Sequence, residues 1–263
     1  MSERKTRAGA SFSLPVLDTA PSYKRVATLI EREIISGRVK PGELLPTEGD
    51  LAAQLGVHRS TIREGIRSLE NSGLIRRVGG KRLVVSIPDR SAVAWSTTRA
   101  LGLRKVSFRE LWEVQMEMEP FSASLAAQRV SEEIQQEIAA NVDALAKNID
   151  DDEAVIELDI EFHRLLAKAS KNQALMLSLE PIGILLFSAT VDLYKKVPPA
   201  RHRLLHAHRI IADAVFARDE ETARTWMAKH IRDFRRGYIV AGTDLDAPIE
   251  IHDKVPPIHP QSS

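Results

Sequence analysis

The stretch that decides the fold of the N-terminal part is residues 47–69, with the sequence TEGDLAAQLGVHRSTIREGIRSL. Thr47 is a preferred N-cap residue, and Glu48 and Asp50 place negative charge in the first turn, beside the positive end of the helix dipole. The apolar face of this short helix consists of Leu51, Ala52 and Leu55. Gly56 favours the end of the helix, because glycine readily adopts the left-handed conformation found there. The pattern predicts a short helix, a tight turn and a second helix.

The same kind of periodicity predicts the helix after the turn and another helix earlier in the chain. The helix after the turn begins at His58 or Ser60, and its apolar face consists of Ile62, Ile66 and Leu69. The earlier helix ends before Gly37 and has apolar residues at helical spacing, namely Val26, Leu29, Ile30, Ile34 and Ile35. The chain therefore begins its first domain with three consecutive helices.

Two β-rich runs come directly after these helices. Residues 74–78 and 82–87, LIRRV and RLVVSI, are separated by Gly79 and Gly80. A Gly-Gly turn between two such runs is typical of a β-hairpin. Three helices followed by a hairpin predict a winged helix-turn-helix domain over residues 21–88.

The rest of the chain is predicted to be helical. From about residue 91 the composition shifts towards Ala, Leu, Glu and Gln, and no strand pattern appears. Candidate helices lie near residues 91–102, 107–129, 131–148, 152–170, 173–190, 200–217 and 219–239. We therefore expect a mainly α protein whose C-terminal part is an all-α antiparallel helical bundle. The predicted organisation is a flexible N-terminal tail at 1–20, the winged domain, a linker helix at 89–104, the bundle at 105–240 and a flexible C-terminal tail at 241–263.

The composition excludes several classes of function. The 263 residues include no cysteine, which excludes disulfides, thiolate chemistry and cysteine-ligated zinc. No apolar run approaches the roughly 18 residues that span a bilayer, and the N-terminus has no apolar signal core. We expect a cytoplasmic protein with no membrane partner.

Charge is distributed unevenly along the chain. Residues 22–88 contain 12 Lys and Arg against 7 Asp and Glu, a balance of +5, whereas the whole chain is +1 and the remainder is therefore −4. A basic N-terminal domain favours contact with a polyanion. The alternative is a chance clustering of charge.

The helix-turn-helix supplies candidate DNA contacts, because the N-terminal end of its second helix enters the major groove. Arg59 and Arg63 lie four residues apart on one face, and Arg can grip guanine or phosphate with two hydrogen bonds. The full set of candidates is Arg59, Ser60, Thr61, Arg63 and Arg67 on the helix, with Gly79, Gly80 and Lys81 at the hairpin tip. The alternative is a surface helix with solvated arginines.

Four residues of the C-terminal part are candidate metal ligands. Asp159 and His163 lie at i and i+4 on one helical face, and His208 and His230 lie on later helices that a bundle can bring nearby. One carboxylate with three imidazoles suits a divalent ion such as Zn²⁺, Ni²⁺ or Mn²⁺. The alternative is accidental spacing, since an isolated His is more often a core or surface residue and the chain contains eight.

The N-terminal motifs resemble those of a known family. Residues 41–48, PGELLPTE, and residues 55–64, LGVHRSTIRE, look like the signature of the GntR family of bacterial transcription regulators. The resemblance implies that Arg59, Ser60 and Arg63 contact DNA, together with the hairpin tip. One departure is Gly49, where the family usually has an Arg that contacts DNA, so we expect the operator contact at that point to differ.

The C-terminal part is similar, over roughly residues 105–238, to the FCD domain of the FadR branch of that family. The matching residues include Glu113-Val114-Gln115, Glu119-Pro120, Leu158-Asp159, Phe162-His163, Asn172, His208 and His230. The resemblance implies a metal on Asp159, His163, His208 and His230, and a small organic acid as effector, with Gln115, Glu119 and Asn172 as effector-binding candidates. The family often carries Arg at the position of Gln115, so the expected ligand is less charged than a dicarboxylate.

Together these features predict a ligand-responsive, DNA-binding transcription regulator and not an enzyme. The expected protein is a homodimer on a palindromic double-stranded operator, a repressor released by a small carboxylate such as a sugar acid or hydroxy acid. Two alternatives stay open. One is a metal-dependent hydrolase fused to a DNA-binding module, and the other is an architectural DNA binder without an effector.

Overall fold

The computed structural model describes residues 22–190 and 193–250. The predicted flexible tail at 1–20 lies outside these ranges, as does the end of the predicted C-terminal tail, 251–263. The chain divides into two compact units, with the boundary between Pro88 and Asp89.

The N-terminal unit is the predicted winged helix-turn-helix. Its elements are α1 (Ser22–Ile35), α2 (Glu48–Leu55), α3 (Arg59–Asn71), β1 (Ile75–Val78) and β2 (Arg82–Val85). Thr47 caps α2 in a reciprocal capping box with Asp50, and Gly56 ends the helix in the left-handed conformation at φ 62°. These local signals are the ones that the sequence provides, and this part of the fold prediction is confirmed.

Helices α1 and α3 pack closely because position 65 is a glycine. A Cβ atom at Gly65 would lie 2.9 Å from Val26 Cγ1 and 3.1 Å from the backbone oxygen of Tyr23. Ile62 and Ile66 of α3 are fully buried in the core that forms there. The glycine therefore fixes how near the recognition helix α3 lies to α1.

The hairpin pairs β1 and β2 as antiparallel neighbours, from Ile75 opposite Val85 to Val78 opposite Arg82. Gly79 and Gly80 turn the chain with φ of 58° and 78°, values that side chains with a Cβ rarely adopt. The chain before α2 joins the outer edge of β2, where Leu45 N donates to Leu83 O at 2.9 Å.

The C-terminal unit is an all-helical bundle, as predicted. Its helices are α4 (Arg90–Leu103), α5 (Phe108–Arg129), α6 (Glu132–Lys147), α7 (Asp152–Ala169), α8 (Gln173–Thr190), α9 (Leu193–Lys196), α10 (Pro199–Phe216) and α11 (Glu220–Val240). The short α9 was not predicted. No helix in the described ranges is both long and apolar enough to cross a membrane.

Helix α5 lies at the centre of this bundle. It packs against α7, α8, α10 and α11, while α6 packs against α7 and α10. The interior is apolar, with Phe162 of α7 and Ile211 of α10 fully buried. This arrangement brings residues from α5, α7, α10 and α11 to a common point.

Two predicted boundaries need correction. The segment predicted as a linker helix, α4, packs against α8 within the C-terminal unit. Residues 241–250, predicted as the start of a flexible tail, pack back against the beginning of α5, where Leu245 and Ile249 are buried. Leu245 O accepts a hydrogen bond from Arg109 N at 3.0 Å, and Asp246 forms an ion pair with the Arg109 side chain. Buried apolar side chains hold this segment, although its turn-forming composition suggested a tail.

Candidate metal centre and nucleic-acid interface

The four predicted metal ligands converge inside the C-terminal unit. Asp159 and His163 extend from α7, His208 from α10 and His230 from α11, and one donor atom from each lies within 4.8 Å of all the others. Asp159 Oδ1 lies 3.1 Å from His208 Nε2, 3.7 Å from His163 Nε2 and 3.8 Å from His230 Nε2. The Nε2 atoms of His163 and His230 are 3.1 Å apart. The same nitrogen of all three rings thus faces one carboxylate oxygen.

Packing fixes the orientation of the innermost ring. His208 is fully buried, and its ring stacks on Phe162 with centroids 3.8 Å apart and planes 13° from parallel. Because Phe162 immediately precedes His163 on α7, one helix both supplies a ligand and positions a second. Nothing in the sequence indicated this stacking contact, because Phe162 entered only as part of the family resemblance.

Glu119 supports the cluster from α5. Its Oε2 lies 3.1 Å from His163 Nδ1, on the side of the ring opposite the donor atom, and the residue is buried. Carboxylates in this position orient ligating imidazoles and raise their basicity. Glu119 also lines the cavity beside the cluster, so its predicted contact with the effector stays a prediction alongside this contact with His163.

The electrostatics of the cluster favour an anionic Asp159 and a protonated His163 beside two neutral rings. Burial opposes ionisation of Asp159, but the facing imidazoles outweigh it and hold its pKa at about 2. Burial also opposes protonation of His163, yet Glu119 and Asp159 raise the pKa of that ring to about 9. Burial lowers the pKa values of His208 and His230.

The donor set fits a divalent cation. Within the described ranges, Asp159 Oδ1 and both ring nitrogens of His208 are buried without an aligned hydrogen-bond partner, although His208 Nε2 lies close to the carboxylate. Buried polar atoms are normally satisfied, and unsatisfied ones that point at a common centre suggest a ligand. Three imidazole nitrogens and one carboxylate oxygen suit Zn²⁺, Ni²⁺ or Mn²⁺, and the donor types do not select among them.

The cluster lies in the wall of a large cavity. The cavity has a volume of about 1050 Å³, and its lining includes Asp159, His163, His230, Glu119 and Gln115. Gln115 is buried, and its Oε1 has no hydrogen-bond partner within residues 22–190 and 193–250. The predicted contact of Gln115 with an effector stays a prediction, which this position in the cavity lining supports.

Asn172 does not line the cavity, and its Oδ1 accepts hydrogen bonds from Ala174 N at 3.1 Å and Leu175 N at 3.3 Å. These are the contacts of a residue that caps a helix N-terminus, here the start of α8. These hydrogen bonds occupy the side-chain oxygen, and the assignment of Asn172 to the effector stays a prediction.

The cavity also contains charged residues that sequence reasoning missed. Arg90 of α4 lies 2.9 Å from Glu180 of α8, and Arg164 of α7 lies 2.6 Å from Glu161. All four side chains line the cavity. Glu161 and Arg164 are an i, i+3 pair on α7, whereas Arg90 and Glu180 meet only when α4 packs on α8.

The predicted DNA contacts are mostly at the surface of the N-terminal unit. Arg59, Ser60, Arg63, Arg67, Gly79, Gly80 and Lys81 are exposed, and Thr61 is half-buried. Arg63 and Arg67 line a shallow depression together with Gly80, which places the recognition helix beside the hairpin tip. Their contact with DNA stays a prediction.

An ion-pair network not found from the sequence holds this surface together. Glu48 lies 3.3 Å from Arg63 Nε and 2.9 Å from Arg77 Nη2, and Arg77 Nε lies 2.7 Å from Glu70. Glu48 thereby links the start of α2 to α3 and β1. Arg63 is oriented by this contact while remaining exposed.

Gly49, the position that departs from the family signature, lies under Arg59. A Cβ atom at Gly49 would come within 2.9 Å of Arg59 Nη2. The guanidinium of the recognition helix therefore occupies the space that a side chain at position 49 would need.

Comparison with known proteins gives consistent matches over most of the chain. Residues 22–85 match the model of "Bacterial regulatory proteins, gntR family", and residues 110–233 match that of the FCD domain. The chain is 30% identical over 224 residues to the HTH-type transcriptional regulator YcbG of Bacillus subtilis, covering 84% of this chain and 91% of that protein. It is 27% identical to the Glc operon transcriptional activator of Escherichia coli K12, covering 82% of this chain and 88% of that protein.

A solved structure agrees with these matches. The structure described as Streptococcus agalactiae GntR is similar with a TM-score of 0.56 and 28% sequence identity, covering 81% of this chain and 99% of that one. The relatives are named as regulators of transcription and not as enzymes.

Proposed function

The chain belongs to the gntR family of bacterial regulatory proteins and carries an FCD domain, and from this premise we propose that it senses a small organic acid at a metal centre. Like its relatives, it is a DNA-binding transcription regulator and not an enzyme. The observation that carries the sensing part of the proposal is the convergence of three imidazoles and one carboxylate in the wall of a cavity of about 1050 Å³.

Residues of four helices would cooperate in this site. Asp159, His163, His208 and His230 would hold the ion, and Glu119 would orient the ring of His163. When bound, a divalent ion such as Zn²⁺, Ni²⁺ or Mn²⁺ supplies positive charge that attracts a carboxylate. Gln115, whose Oε1 is buried without a partner among the described residues, would accept a hydrogen bond from a hydroxyl group of the bound acid. Its neutral side chain supplies no positive charge for a second carboxylate.

We extend the proposal to assembly and location. A homodimer on a palindromic double-stranded operator is supported by the winged helix-turn-helix, because twofold protein symmetry calls for two related half-sites. A protein that binds chromosomal DNA acts in the bacterial cytoplasm. We favour a repressor released by its acid, and since one relative is named as an activator, the assay must read either sign.

Operator binding with and without acid tests the proposal. The zinc-loaded protein is titrated by fluorescence anisotropy onto DNA flanking its own gene, with and without lactate or gluconate. We expect one of these acids to shift the apparent Kd at least tenfold, a coupling of about 1.4 kcal/mol, which lies in the usual range for allosteric effectors. The direction of the shift shows whether the acid releases the protein from its operator or strengthens its binding.

A pair of histidine variants on α10 provides the control. His208→Ala removes a buried member of the cluster, whereas His202→Ala removes an exposed histidine from the same helix. We expect loss of metal stoichiometry and of the acid response in the first variant only. If the wild-type protein binds DNA but retains no metal at stoichiometric amounts, the architectural alternative replaces the sensor.

A further inference from the structure

Glu180 places a buried and incompletely satisfied carboxylate in the cavity. Only 7% of its side chain is exposed, and the residue lines the cavity from α8. One oxygen, Oε2, lies 2.9 Å from Arg90 Nε. The other, Oε1, is buried without a hydrogen-bond partner among residues 22–190 and 193–250.

The surroundings of Glu180 are rich in acceptors and poor in free donors. Among the described residues of the cavity lining the carboxylates are Asp89, Glu119, Glu157, Asp159, Glu161 and Glu180, against the guanidinium groups of Arg90 and Arg164. Arg164 is already paired with Glu161, and Arg90 with Glu180 itself. Burial raises the pKa of Glu180 despite these two arginines, so its carboxylate is incompletely compensated.

Glu180 lies on α8, whereas the four residues of the metal cluster lie on α7, α10 and α11. The charged groups that act on it are Arg90, Arg164, Asp89 and Glu161, and none of the four metal ligands is among them. A volume of about 1050 Å³ is also at the upper end of the usual range for ligand pockets, which is more than a three-carbon acid fills.

We propose that Glu180 is a specificity-determining residue that accepts a hydrogen bond from a hydroxyl group at the end of the effector remote from its carboxylate. The inference deepens the proposed function and rests on it. The ligand class is a polyhydroxylated monocarboxylate, whose carboxylate meets the metal cluster and whose chain hydroxyls reach α8. A dicarboxylate is disfavoured because its second negative charge would face Glu180 and Glu161 without a free cation to pair with.

A purely structural role for Glu180 makes a different prediction. The ion pair with Arg90 attaches α4 to α8, and its loss would lower stability whatever the ligand. Discrimination between ligands that differ only in their hydroxyl groups therefore separates the two roles.

The test uses two acids with the same six-carbon chain, carboxylate and 2-hydroxyl group. D-gluconate carries further hydroxyls along the chain, and 2-hydroxyhexanoate carries none. Their affinities for the zinc-loaded full chain are measured by calorimetry. We expect the wild-type protein to bind gluconate at least tenfold more tightly than 2-hydroxyhexanoate. We expect Glu180→Leu to lower the affinity for gluconate about tenfold and to change the affinity for 2-hydroxyhexanoate by less than about twofold.

Glu180→Gln keeps the size of the side chain and one acceptor oxygen, and it carries the test if the leucine variant fails to fold. We expect it to reduce the gluconate preference at least threefold, because a neutral acceptor forms a weaker hydrogen bond than a carboxylate. An unchanged preference in either folded variant, or equal affinities for the two acids in the wild type, would overturn the role of Glu180 while leaving acid sensing intact. If zinc binds stoichiometrically but neither acid binds, the proposed function itself fails and this inference fails with it.

Discussion

Replacement of Glu119 by glutamine is a sharp test of how the metal centre is built. The change keeps the shape of the side chain but removes the charge that lies 3.1 Å from His163 Nδ1. A second carboxylate that polarises a ligating imidazole makes the ring a better donor, and its loss weakens the metal–nitrogen bond. We expect Glu119→Gln to retain the fold and to bind zinc more weakly.

The size of the effect follows from the contact distance. Two unit charges 3.1 Å apart interact by about 5 kcal/mol at an effective dielectric constant near 20. A ligating ring carries only part of a positive charge, and glutamine retains a dipole, so only a fraction of this energy is at stake. A quarter to a half of this interaction energy corresponds to a roughly 10- to 100-fold loss of zinc affinity. This is the range found for other residues that support metal ligands.

The assay is a competition for zinc between the protein and a fluorescent chelator at fixed pH. Glu117→Gln is the matched control, because it makes the same chemical change two residues away on α5, at an exposed position. We expect the control to bind zinc like the wild type. Equal zinc affinity of Glu119→Gln and wild type, within about twofold, would refute the assigned role of Glu119.

Three further predictions concern other parts of the chain. Arg67→Ala is expected to lower the affinity for operator and non-specific DNA alike, and to reduce the slope of log affinity against log salt concentration by about one. The control Arg32→Ala, at an exposed position of α1, is expected to change neither quantity. An unchanged slope would remove Arg67 from the interface. Asn172→Ala is expected to lower the free energy of unfolding by about 1 kcal/mol in urea denaturation without altering acid affinity, since the side chain caps α8; weaker acid binding at equal stability would restore it to the effector site. Leu245→Ala is expected to destabilise the C-terminal domain by about 2–3 kcal/mol because the residue is buried, and a loss below about 0.5 kcal/mol would show that residues 241–250 are loosely held.

The features that sequence predicts well in this chain are local or periodic. Thr47 and Gly56 mark the ends of α2 because capping and left-handed backbone conformations depend on a few adjacent residues. The Gly79–Gly80 turn is equally local. For the metal site, spacing suggested the Asp159 and His163 pair, and the predicted bundle offered His208 and His230 as partners on later helices. The family resemblance implied the same four residues.

The features that sequence missed depend on packing between distant segments. Glu119 precedes His163 by more than forty residues, so its support of that ring could not be inferred from spacing. The same holds for Arg90 and Glu180, which meet only because α4 packs on α8. Asn172 is a different case, since an Asn at the start of a predicted helix is a capping signal that local chemistry alone would have identified.

The cost of burying the cluster argues that its role is not merely structural. One carboxylate and three imidazoles are placed at the centre of a helical bundle, where unpaired charge and unsatisfied polar atoms destabilise a fold. The adjoining core shows that these helices pack well with apolar residues. Phe162, Ile211 and Met227 are fully buried there. Apolar side chains at the four positions would have stabilised the bundle without this cost. A bound cation offsets it by satisfying all the converging donors at once, and it also gives the adjoining cavity the positive charge that its acidic lining lacks.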